Sequence, residues 1–252
     1  MKYKIGVADY GMSVWYGGCY NLEQRLELLK ECGIGGIEKL SATDMAEAVQ
    51  NAALFHRLEM DFASCSMPSP ELSMKCTCAF GKEYVWFPMR CARDIPFEEY
   101  CRRANDFVQA AAYYNLKGAL HNHLGNRVES QEEVDAFMQA VPGATLLLDI
   151  AHLHAAGGDC VEVVRKYHNR LAAVHFKDVY YKNKNIGLDN WSERLRFCEL
   201  GGGNAGLDYE AIGEELKKNH YDRWILIEHD THLREPKIDL TISANILKAM
   251  FT

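Results

Sequence analysis

An α/β fold is predicted for this sequence, a parallel (β/α)8 barrel formed as a single domain over residues 1–252, and three observations lead to it. Short apolar runs alternate with helix-periodic segments along the whole chain. Four of the later runs stop at, or shortly before, a residue able to bind a divalent cation. The length of 252 residues, with 48% hydrophobic content, suits one large core of the size an α/β barrel needs. Strands joined by helical crossovers are covered on both faces and so read as continuous apolar runs. Closing them into a barrel gathers all their carboxyl ends on one rim.

The first strand is about Lys4–Ala8, and the helix after it repeats Leu22, Leu26 and Leu29 at helical spacing until Gly33 stops it. Gly36–Leu40 is the second strand; Thr43 or Asp44 caps the following helix, and Asp61–Met67 is the third. Pro68–Lys82 has little periodicity and contains Pro70, so it reads as a loop with at most a short helix before the fourth strand, Tyr84–Pro88. A helix over Phe97–Asn115 leads to the fifth strand, Lys117–His121. Thr145–Ile150, Leu171–Phe176 and Trp224–His229 complete the set of eight. Lys177–Gly206 reads as a long rim loop carrying Trp191, of the kind that forms lids or pocket walls. Within it, Gly201-Gly202-Gly203 follows no strand and precedes no Lys-Ser/Thr pair, so a flexible turn is expected rather than a phosphate cradle.

A formal net charge of −7, with Lys and Arg scattered, gives no basic surface for a polyanion, so nucleic acid is not expected as a partner. No apolar run approaches the roughly 20 residues needed to span a bilayer, and the N-terminus lacks a secretory apolar segment, so no membrane association and a cytoplasmic location are expected. Nine cysteines with no regular framework suit reduced thiols; Cys65, Cys76, Cys78 and Cys91 match no common zinc or iron-sulfur spacing.

The metal-binding residues follow the strand ends in order. Gly118-Ala119-Leu120 leads through His121, Asn122 and His123 to Glu129; Leu146-Leu147-Leu148 stops at Asp149; Leu171–Val174 stops at His175; Trp224–Ile227 stops at Glu228. Glu129, Asp149, His175 and Glu228 make a mixed oxygen and nitrogen set for one divalent ion, manganese foremost, with magnesium, cobalt or zinc as alternatives. His152 lies three positions past Asp149 and faces the same mouth, either touching substrate or orienting Asp149. Alternation sends His175 and Lys177 to one side, which makes Lys177 a candidate for a substrate oxygen unless Asp178 holds it in a structural ion pair. His121 and His123 share a face and either line the pocket or serve as core histidines. Glu38 and Trp15 are rim candidates for sugar hydroxyls and an apolar sugar face, and Arg90 is a weaker one.

At these residues the chain resembles the sugar phosphate isomerase and epimerase superfamily with its xylose isomerase-like barrel. The segments HNHLGNRVES, LLLDIAHLHAAGG, RLAAVHFKDV, FCELGGG and WILIEHD follow the order seen in its inosose dehydratase and ketose 3-epimerase branches. The resemblance implies that Glu129, Asp149, His175 and Glu228 are the metal ligands and that His152 contacts substrate. Asn126-Arg127-Val128-Glu129 is similar to the epimerase segment, whereas His121-Asn122-His123-Leu124-Gly125 is similar to the dehydratase one. The chain departs from the epimerases at His123, where many have a second glutamate, and at Tyr181, where they tend to carry a substrate-binding arginine.

The expected activity is a metal-dependent sugar isomerase or epimerase acting on a ketose or keto-polyol, a small-molecule carbohydrate, by α-proton abstraction through a metal-stabilised enediolate. Glu129 and Glu228 would act as the base and acid on opposite substrate faces. The alternative is an inosose dehydratase-like lyase or a 3-keto-glycoside-cleaving enzyme, with His152, His123 or Lys177 assisting the leaving group. An apurinic-site endonuclease needs further histidines that DVYYKNKNIGLDN lacks. A non-catalytic sugar-binding barrel is opposed by the intact ligand set. A homo-oligomer is common in the family resembled.

Overall fold

The computed structural model describes residues 3–88 and 92–251, so Arg90 and Cys91 lie outside the described residues. Eight parallel strands form the sheet: β1 Lys4–Ala8, β2 Gly36–Ser41, β3 Asp61–Ser66, β4 Tyr84–Trp86, β5 Lys117–His121, β6 Thr145–Asp149, β7 Leu171–Phe176 and β10 Trp224–Glu228. Their hydrogen-bonded order is β3-β2-β1-β10-β7-β6-β5-β4, which leaves β3 and β4 adjacent at a seam in a nearly closed barrel. Helices α1 Leu22–Glu31, α2 Met45–Arg57, α3 Pro70–Ala79, α4 Phe97–Tyr113, α5 Gln131–Ala140, α6 Ile150–Ala155, α7 Cys160–Tyr167, α9 Tyr209–Lys218 and α10 Pro236–Phe251 fill the crossovers. No helix among the described residues is long and apolar enough to cross a membrane.

The chain differs from the sequence expectation in two crossovers. Pro68–Lys82 contains the ten-residue helix α3, because Ser69 accepts the Leu72 amide and Pro70 occupies the first turn, where its missing N–H costs nothing. Lys177–Gly206 holds an antiparallel hairpin, β8 Asp178–Tyr181 and β9 Leu195–Cys198, with the short helix α8 Trp191–Arg194 at its tip. Strand ends also shift: β4 stops at Trp86 rather than Pro88, and β6 stops at Asp149 because that carboxylate caps α6 through the His152 amide.

Side-chain alternation builds the interior in layers. Tyr84, Ala119, Leu147, Ala173, Trp224 and Leu226 pack together inside the barrel, while Leu148, Val174, Phe176, Ile225 and Ile227 pack outward under the helices. Two residues further along, the same inward face becomes polar: His121 follows Ala119, Asp149 follows Leu147, His175 follows Ala173, and Glu228 follows Leu226. The register Asp149↔His175 and Leu226↔His175 sets these strand ends at nearly one height. Gly6 and Gly36 leave the space that the Trp224 ring takes beneath this layer, since a Cβ at either would stand 2.7 or 2.8 Å from the indole.

Gly36 is the stricter of the two, because its Cβ would also lie 2.3 Å from the Asp61 carbonyl, which is backbone and has no rotamer to yield. We expect Gly36→Ala to destabilise the fold by about 2 to 3 kcal/mol in urea unfolding. An unchanged midpoint would mean that β2 and β3 do not approach this closely.

Candidate metal centre at the barrel mouth

His121, Asp149, His175 and Glu228 each present one donor atom, all within 4.8 Å of one another. Asp149 Oδ2 lies 3.5 Å from His121 Nε2 and 3.7 Å from His175 Nδ1, and His175 Nδ1 lies 3.2 Å from Glu228 Oε2. Donors about 2.1 Å from a four-coordinate ion stand about 3.4 Å apart, so these separations match the edges of such a site. His121 Nε2 and His175 Nδ1 are buried without a hydrogen-bond partner, and Asp149 Oδ2 meets only the Lys177 ammonium, at 3.2 Å. Orphaned atoms of this kind are uncommon in a folded chain and point to a missing electron-pair acceptor between them. The residues present therefore fit a divalent metal.

The groups around the four donors set their direction. Glu38 Oε1 lies 3.0 Å from His175 Nε2, which holds a ring proton there and turns Nδ1 inward. Glu38 is itself held by Trp86 Nε1 at 3.0 Å and by the Tyr84 hydroxyl at 3.5 Å. Asn122 brackets Asp149: its Oδ1 accepts the Asp149 amide at 2.9 Å and its Nδ2 donates to the Asp149 carbonyl at 3.0 Å. Asp149 Oδ1 is committed to capping α6, so only Oδ2 is available to the centre. Burial disfavours charge on all of these groups, yet neighbours decide their states. Burial pushes His121 down to about 4. His175 is instead raised well above its ordinary value, because Glu38 and Glu228 outweigh desolvation. Asp149 and Glu228 are likewise held low against burial, with Lys177 the largest attraction on each.

Lys177 is 1% exposed and sits against the same cluster. Its Nζ is 2.5 Å from Glu228 Oε2, 3.2 Å from Asp149 Oδ2 and 3.3 Å from Asp230 Oδ2. His152 Nε2 lies 3.1 Å away, and the Phe197 ring centroid 3.9 Å. Asp178 does not pair with it; that carboxylate accepts the amides of Val179, Gly201 and Gly203. The triple glycine is thus a turn folded around Asp178. His152 accepts the Leu124 amide at Nδ1 and stacks on His123, with ring centroids 3.7 Å apart. Trp191 from α8 and Phe197 from β9 pack over the two histidines, so the hairpin walls this side of the site.

Of the expected ligands, Asp149, His175 and Glu228 come together and Glu129 does not. Glu129 lies beyond a turn closed by His123 N–H to Val128 O and Asn126 N–H to His123 O. Its carboxylate accepts the Gly125 amide at 2.6 Å and pairs with Arg93 at 3.4 Å, and it is not part of the four-donor group. His121 stands in the fourth corner instead. The strand pattern carried the signal, since His121 ends an apolar run with the same inward parity as Asp149, His175 and Glu228. Glu38 lies beneath His175 at 2% exposure rather than on the open rim, and Trp15 is 90% exposed on the turn Val14–Tyr16. Asn122 and Asp230 were not singled out by the sequence; neither belongs to a repeated pattern that marks it.

Residues 73–249 match the family model described as the xylose isomerase-like TIM barrel, which is well over half of the chain. The chain belongs to the xylose isomerase-like TIM barrel family. An inosose dehydratase of Lactiplantibacillus plantarum is 30% identical over 141 residues, 54% of this chain and 47% of that protein. The chain spans about half the length of the curated relatives it matches. Among solved structures, the probable 3-DHS dehydratase AsbF of Bacillus anthracis superposes with a TM-score of 0.74 at 16% identity, covering 98% of this chain and 99% of that one. An L-ribulose 3-epimerase gives 0.70 at 16% identity, covering 99% and 95%. These two share the family's barrel from end to end.

Because Asn122 holds both backbone polar groups of Asp149, Asn122→Ala is expected to weaken manganese binding by about 10- to 100-fold in calorimetric titration. Stability should also fall by about 2 kcal/mol in urea unfolding. Wild-type metal affinity in that variant would show that Asp149 is positioned by other groups.

Proposed function

We propose that this protein is a divalent-metal-dependent lyase acting on a keto-polyol of the inosose class, with manganese as its ion, removing water across the bond next to the carbonyl. The observation that carries the reading is the placement of an ammonium 2.5 Å from a carboxylate of the donor group, inside a closed polar layer. His121, Asp149, His175 and Glu228 would hold the ion, which when bound polarises a substrate carbonyl and acidifies the neighbouring C–H.

The chain's own groups supply the rest. Glu228 accepts the α-proton; Lys177 donates a proton to the β-hydroxyl as its C–O bond breaks; the proton on Glu228 then returns to Lys177 across their 2.5 Å contact. The balance is one water lost and one enone formed. Trp191, Phe197 and the stacked His123 and His152 keep bulk water from this layer. The identity to inosose dehydratases supports the substrate class. Epimerisation needs a second base opposite Glu228. Glu129, the expected residue for that role, pairs with Arg93, which supports elimination over epimerisation.

Manganese-loaded protein incubated in heavy water with inososes, ketoses and keto-glycosides should take up deuterium at the α carbon of its substrate and develop enone absorbance. Exchange with epimer formation and no enone would assign an isomerase, and turnover without exchange or a C–H isotope effect would remove the α-proton mechanism. Lys177→Met should keep exchange while losing elimination by about 100-fold or more.

A further inference from the structure

We infer that Lys177 and Asp230 together set how tightly the centre holds its ion: the Lys177 ammonium competes for the carboxylate oxygens that coordinate the metal, and Asp230 draws it off them. This rests on the proposal that the four donors bind a divalent ion.

The competition is visible atom by atom. The two oxygens nearest Lys177 Nζ are Glu228 Oε2 and Asp149 Oδ2. The same two oxygens make the 3.2 to 3.7 Å edges with His175 Nδ1 and His121 Nε2. A divalent ion and an ammonium bound to shared oxygens stand within a few ångströms of each other in a water-poor layer, where like charges repel strongly. Each therefore weakens the other's hold.

Other acceptors for the ammonium are few. His152 Nδ1 takes the Leu124 amide, which leaves the proton of a neutral ring on Nε2, so that atom offers Lys177 no lone pair. Asp178 is occupied by the glycine turn. The Phe197 face lies 3.9 Å away and accepts no hydrogen bond of comparable strength. Asp230 Oδ2, at 3.3 Å, belongs to the turn after β10 and is not one of the four donors. Its side chain is 18% exposed against 1% for Lys177, so it offers an anchor on the outer side of the ammonium. Asp230 is in this sense a positioning residue: it acts on the ion only through Lys177.

A double-mutant cycle on the full chain tests this, with manganese affinity read by competition with a fluorescent chelator and folding followed by circular dichroism. Lys177→Met should tighten manganese binding by roughly tenfold or more. Asp230→Asn should weaken it by roughly tenfold in the presence of Lys177 and leave it unchanged in the Lys177→Met background. Lys177→Gln, which keeps a hydrogen-bond donor without the charge, replaces the methionine variant should that chain fail to fold. Equal weakening by Asp230→Asn in both backgrounds would show that Asp230 attracts the ion directly and would overturn the inference, as would unchanged affinity in Lys177→Met or Lys177→Gln. Absence of manganese binding in every variant removes the proposed centre itself, whereas binding with a failed cycle removes only the role given to Lys177 and Asp230.

Discussion

Two carboxylates, Asp149 and Glu228, are buried side by side at the mouth of this barrel, and the need to neutralise them governs what surrounds them. Removing one such charge from water costs several kcal/mol, so a pair persists only among cations and well-directed donors. His175 on β7 and Lys177 just past its end supply that charge, at 3.2 and 2.5 Å from Glu228. Glu38 in turn orients His175, and Asn122 fixes Asp149. A removable divalent ion fits the same place because its demands are those of the carboxylates: positive charge at short range and few competing waters.

The barrel makes this arrangement by simple periodicity. Each inward face runs apolar for one or two positions and then turns polar at the strand's carboxyl end, so closure stacks a polar layer on a plug of Trp224, Leu226, Leu147 and Ala173. The plug keeps water from below, and the hairpin Asp178–Cys198 covers the His152 side with Trp191 and Phe197. A low local dielectric strengthens every charge contact in the layer.

Much of this was legible in the chain. Eight strand positions follow from apolar runs and helix periodicity, and three of the four converging donors follow from their place at run ends. Glu129 lies eight positions beyond His121, past a turn whose closure by His123 and Val128 cannot be read from spacing, so the sequence does not tell which of the two stands with the other three donors. Helix α3 is hidden in the sequence by Pro70, which after a capping serine occupies the one helical turn that tolerates proline. The hairpin after Lys177 leaves little trace in the sequence because its strands are only four residues each and flank polar sequence.

The order of elements, the inward parity of His121, Asp149, His175 and Glu228, and the supply of acidic and basic groups are properties of the chain alone, because they rest on local periodicity. Which of those groups meet was decided in three dimensions. Lys177 turned to Glu228 and Asp230 rather than to its neighbour Asp178, and Glu38 went under His175 rather than to the rim, because barrel closure brings residues 51 and 137 positions apart within hydrogen-bond reach. Electrostatic energy falls with distance through space, and sequence separation does not measure that distance.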